Sequence, residues 1–173
     1  MNEKRDLDRE TQTNNQYILP LINEAEDIVE AVKNALNNFI TYGTETTRSL
    51  GAGERAGVVN SYKSAFGKVP STEAEWSDAI KISNGRWPTT RSAESEKNAT
   101  NVFKKIYKRS SDRKNTHDDA AVSVISYGLR PSIRNTNSEK AAIKSFRAIY
   151  GKTPVSAIDW DIIRAIAYSG AKR

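Results

Sequence analysis

Six of the chain's 27 basic side chains crowd into eleven consecutive residues: Lys104, Lys105, Lys108, Arg109, Arg113 and Lys114. Cations at that density, with Tyr107 among them, suit phosphate contacts combined with stacking. The same spacing also suits the solvated face of a helix whose buried face is Phe103, Ile106 and Tyr107, and both readings stand at this level. Arg86, Trp87 and Arg130 complete the candidate contact set. They lie in two turns that each run into a proline, Pro88 and Pro131, with Arg91 and Arg134 three residues beyond. These arginines would either meet a partner or pair with capping carboxylates of neighbouring segments.

Other chemistry finds little support. Asp112, Asn115, Asp118 and Asp119 offer oxygen ligands, but without the spacing or central glycine of a calcium loop. Cysteine is absent and His117 is the single histidine, so thiolate and two-histidine metal sites are excluded. There is no phosphate-binding glycine loop and no serine in a nucleophile-elbow context. The expectation is therefore a non-enzymatic protein with no catalytic residue, metal or cofactor. No apolar run approaches the roughly 20 residues of a membrane span, and none is expected.

Charge is uneven along the chain. Residues 1–44 carry four basic and eight acidic side chains, whereas residues 45–173 carry 23 and 13. A basic surface concentrates polyanions, so the partner should contact the later part of the molecule.

The elements that must position these residues recur. At an offset of 84, Tyr62, Phe66, Gly67, Lys68, Pro70, Trp76 and Ile82 fall on Phe146, Tyr150, Gly151, Lys152, Pro154, Trp160 and Ile166. Arg91, Glu96, Ala99, Phe103 and Tyr107 match Arg134, Glu139, Ala142, Phe146 and Tyr150 at 43. The reading is three degenerate two-helix repeats of about 43 residues, at 45–88, 89–131 and 132–173. Within a unit, an amphipathic helix ends at glycine, a proline turn follows, and a capping box (Thr72 with Glu75, Ser156 with Asp159) starts the second helix. The middle unit has Lys108 for the glycine, no proline, and Asp119 where tryptophan would stand. The recurring aromatics are expected in the core, Trp87 alone lying outside either stripe.

Ahead of the repeats, Ile22, Ala25, Ile28, Val29, Val32, Leu36, Phe39 and Ile40 predict one long amphipathic helix over 21–42, within a segment 17–44. Four carboxylates between Asn23 and Glu30 favour its first turns. This helix is expected to cap the repeats or to mediate self-association. Residues 1–16, with almost no apolar content, are expected to be a disordered tail. The fold class is all-α, with about seven helices.

The string from Phe146 to Gly170, FRAIYGKTPVSAIDWDIIRAIAYSG, resembles a two-helix repeat, F-x3-YG-x2-P-x4-DW-x2-I-x2-IAY, of bacterial cell-surface or envelope-associated proteins of unassigned activity. The resemblance implies an interaction module in an exported assembly, and a cell-envelope location if the chain is part of an exported protein, a cytoplasmic one otherwise. The expected partner is a protein or an anionic envelope polymer. Sequence-independent nucleic-acid binding and a purely structural, self-associating role are the alternatives.

Overall fold

The computed structural model describes residues 4–22 and 28–173, and every regular element among them is helical. In chain order these are α1 (Leu7–Thr13), a π-helical turn (Asn14–Ile18), α2 (Leu19–Ile22), α3 (Glu30–Tyr42), α4 (Ala52–Phe66), α5 (Glu73–Ser83), α6 (Ala93–Tyr107), α7 (Thr116–Tyr127), α8 (Thr136–Tyr150) and α9 (Ala157–Tyr168). The all-α expectation holds.

Two expectations at the N-terminus do not. Residues 4–16, expected as disordered tail, are largely helical, and residues 1–3 lie outside the described ones. Order comes from polar contacts to α3 that low hydrophobicity does not reveal. Arg9 Nη2 donates to the Thr41 carbonyl (2.8 Å), Asn37 Nδ2 to the Glu10 carbonyl (2.8 Å), and Thr41 Oγ1 to Thr13 Oγ1 (2.7 Å). Pro20 lacks an N–H and crowds the carbonyl four residues back, and the wider π turn lies just upstream of it. The single helix expected over 21–42 is interrupted. α2 ends at Ile22, and Val29, beside another β-branched residue, is extended (ψ 152°) as the N-cap of α3. Three of the four carboxylates expected to favour that helix, Glu24, Glu26 and Asp27, lie outside the described residues.

The later helices start and stop by local chemistry. Thr72–Glu75 and Ser156–Asp159 form reciprocal capping boxes, and Ser92, Asn115 and Asn135 each accept a backbone N–H at their helix starts. α4 and α8 end on Gly67 and Gly151 in the left-handed region. Lys108 takes the same conformation at the end of α6 (φ 59°), alone among the described non-glycine residues. The turn after α6 thus has the same backbone geometry as the glycine-ended turns after α4 and α8.

A polar clamp ties helix starts to helix ends. Arg91 makes a two-pronged bond to Glu96 (2.9 and 2.5 Å), and Tyr127, the last residue of α7, accepts from Ser92 N and donates to Glu96 (both 2.7 Å). Arg134, Glu139, Asn135 N and Tyr168 repeat the arrangement. So do Arg5, Glu10, Asp6 N and Tyr42. The arginines hold Glu96 and Glu139 below the usual carboxylate range, and Arg5 with Tyr42 holds Glu10 at about 2. The Arg5 clamp escapes a reading that begins its repeats at residue 45. An R-x4-E string at the start of a helix is the signal that finds it.

Apolar side chains gather in two clusters. The larger joins Val58 and Tyr62 of α4 to α6, α7, α8 and α9, around Phe103, Tyr127 and Phe146. The smaller joins Ala56 and Val59 of α4 to Ile18, Leu21, Leu36, Phe39 and Ile40. The apolar stripe of 21–42 thus packs largely against α4 within the chain. α7 and α9 lie side by side at the centre, flanked by α6, α8 and α4. Trp76 meets Phe39 (ring centroids 5.1 Å). Trp160, expected in the core, is 40% exposed and lines a small cleft with Arg134, Arg164 and Glu54. The burial expectation for that tryptophan is corrected: among the described residues no aromatic ring stacks on it.

Candidate polyanion-binding face

The structure divides the nine predicted contact residues. Lys104, Lys105, Lys108 and Lys114 are exposed. Arg109 is half-buried and makes a two-pronged bond to Asp118 (2.5 and 2.7 Å), which keeps that carboxyl below its ordinary range. Arg113 bonds Asp119 (2.8 Å) and approaches Glu96 (3.7 Å). Both arginines are therefore engaged within the chain, and the loop they occupy carries three aspartates that offset its cations. Arg109–Asp118 stands where Lys68–Glu75 and Lys152–Asp159 pair in the other hairpin turns.

Trp87 is not a free contact residue. Arg91 stacks on it at 3.8 Å, Tyr127 meets it edge-on at 5.8 Å, and Arg113 approaches at 5.4 Å. Arg86 is exposed. Arg130, predicted to occupy an equivalent surface corner, is 2% exposed, and its removal from the contact set is a correction. Its Nε donates to Glu54 (3.1 Å) and its Nη1 to the Gly128 carbonyl (2.5 Å), while Nη1 lies 3.7 Å from Asp161. Its Nη2 has no hydrogen-bond partner among the described residues and lies against Gly57, where a β-carbon would come within 2.6 Å of it. Sequence could not show this burial, because its partners lie 76 and 31 residues away. Asp161 also accepts from Ser61 (3.0 Å) and Arg164 (2.8 Å). Burial pushes Asp161 up to about 6 despite these two arginines, and brings Arg130 down to about 10.

Of the accessible residues, Lys104, Lys105 and Lys108 gather at the end of α6. Three stretches, 97–111, 140–158 and 162–173, contain no acidic residue. The fold brings the ends of α6 and α8 and the C-terminal residues together around a cleft of about 440 Å³, lined by Ile106, Tyr107, Ser145, Ala148, Ile149, Ile166 and Ala171 to Arg173. Lys105 Nζ lies 4.4 Å from the centre of the Tyr150 ring, which places it between α6 and α8. Lys104 and Lys108 flank it, Lys140, Lys144 and Arg147 are exposed along α8, and Lys172 and Arg173 close the set. Lys104, Lys105, Lys108, Lys140, Lys144 and Arg147 make no ion pair with any described residue. The α8 members were missed because they are spread over eight residues rather than clustered, but the 19-residue run without an acid was visible.

No protein-family model, curated protein or solved structure matches the chain.

Proposed function

We propose that this chain is a non-enzymatic helical interaction module that holds a linear polyanion on the face shared by α6, α8 and the C-terminal residues. The observation that carries this reading is six exposed cations on α6, its C-cap and α8, whose ends line one cleft, none ion-paired to a described residue. Compensated arginines such as Arg109 and Arg113 contribute little to such a surface, because displacing an internal carboxylate offsets the gain. The module is built by repetition: units 45–88, 89–131 and 132–173 each give a long and a shorter helix. The Arg5–Glu10–Tyr42 clamp supports reading α1 to α3 as a fourth, more diverged copy. Resemblance of the 146–170 string to envelope-associated repeats favours an anionic envelope polymer as the ligand.

The test is retention on immobilised heparin, a generic sulfated polyanion, with elution in a salt gradient. The Lys104→Glu/Lys105→Glu/Lys144→Glu variant should elute well before the unmodified chain, while Arg86→Glu and Lys114→Glu should not move. With duplex DNA as a second probe, each lost contact should flatten the log–log salt slope by roughly 1. Equal elution of the triple variant would remove this face from consideration. Tighter retention of DNA than heparin, with the same lysines required, would make nucleic acid the ligand.

A further inference from the structure

A surface that only tracks a polymer backbone needs cations and grooves, not an apolar floor. Here Ile106, Ala148, Ile149, Ile166 and Ala171 line the cleft together with Lys172 and Arg173. Its volume of about 440 Å³ falls within the range of small-molecule sites. The helices that line it are basic: α6 and α8 carry Lys104, Lys105, Lys144 and Arg147, and no acidic side chain lies within any of the three stretches that form it. On α8, Lys144 precedes Ala148 by one turn and adjoins Ser145, so a cation and the cleft lining share one helical face. The C-terminal residues bound the cleft: Arg173 Nε donates to the Ile106 carbonyl (3.2 Å), and Arg109 Nε to the Lys172 carbonyl (3.0 Å).

An apolar recess between helices that carry unpaired cations is complementary to a molecule with one hydrocarbon chain and an anionic head. We infer that this cleft binds a single-chain anionic amphiphile, its chain against Ile106, Ile149 and Ile166 and its head between Lys105 and Lys144. The inference rests on the polyanion reading for the head contacts, and adds the ligand's apolar part. Burial of each methylene adds to affinity, so a buried chain dominates affinity while the head sets specificity.

The test is calorimetric titration of the full chain with dodecyl phosphate below its micelle concentration, beside inorganic phosphate and dodecanol. Dodecyl phosphate should bind at least tenfold tighter than either. Ala148→Trp, at an exposed position lining the cleft, should fill it and weaken dodecyl phosphate at least tenfold while shifting heparin elution far less than Lys105→Glu/Lys144→Glu does. Lys105→Glu/Lys144→Glu should weaken both. Equal affinities for dodecyl phosphate and inorganic phosphate, or an Ala148→Trp variant that binds as the unmodified chain does, would overturn the inference. Heparin retention intact beside that failure would leave the polyanion reading standing, whereas loss of both would sink the two together.

Discussion

Replacing Arg130 with methionine tests whether the buried charge network is a structural junction. The substitution keeps a long apolar stem and deletes the guanidinium that links Glu54, the Gly128 carbonyl and Asp161. Breaking a buried ion pair from one side costs about 3–5 kcal/mol. Asp161 keeps Arg164 at 2.8 Å and Ser61 at 3.0 Å, and the Glu54 side chain is 30% exposed, so the lower end, about 3 kcal/mol, applies at pH 8. In a chain of this length that corresponds to a melting temperature lower by roughly 6–12 °C. The deficit should depend on pH. The folded-state pKa of Asp161 lies above its unfolded value, so its favourable contribution is fully present below about pH 4 and is lost as pH rises through about 6. Without Arg130 the carboxyl titrates higher still, and at pH 5 it is neutral and leaves no uncompensated charge. The remaining cost there is the orphaned Gly128 carbonyl and imperfect packing, about 1 kcal/mol. Urea unfolding at pH 5 and pH 8 measures both numbers. Deficits of equal size at the two pH values, or one below about 1 kcal/mol at pH 8, would refute the reasoning.

Lys108→Gly removes a side chain from the left-handed region and should stabilise the chain by about 1 kcal/mol, read as a higher urea midpoint at unchanged slope. A lower midpoint would show that Lys108 is held there by a contact outweighing its backbone strain. Tyr127→Phe deletes the hydroxyl that accepts from Ser92 N and donates to Glu96, and should cost about 1–2 kcal/mol by thermal melting. Tyr168→Phe, more exposed, should cost less, and a reversed order would count against the clamp as a packing-dependent device.

Much of the fold was legible because its signals are local. The 3.6-residue spacing of Ala142, Ile143, Phe146, Ile149 and Tyr150, the glycine after it, and the Ser156–Asp159 box each act within one turn of helix. What escaped is non-local. α1 is ordered by polar bonds to Asn37, Thr41 and Tyr42, none of which hydropathy weighs. Arg130 looked like a surface arginine because Glu54 and Asp161 are distant in sequence. The candidate face was half legible. Lys104, Lys105 and Lys108 were visible as a cluster, but Arg109 and Arg113 were counted as available when Asp118 and Asp119 engage them. The contribution of α8 required knowing that its end meets the end of α6.

Helix α4 sets Val58 and Tyr62 into one cluster and Ala56 and Val59 into the other. It works as a party wall. Neither room can be emptied without exposing one side of that wall to water, so damage near Leu36 should be felt around Phe103. Heating should then produce a single cooperative collapse, with the N-terminal helices and the basic face lost together.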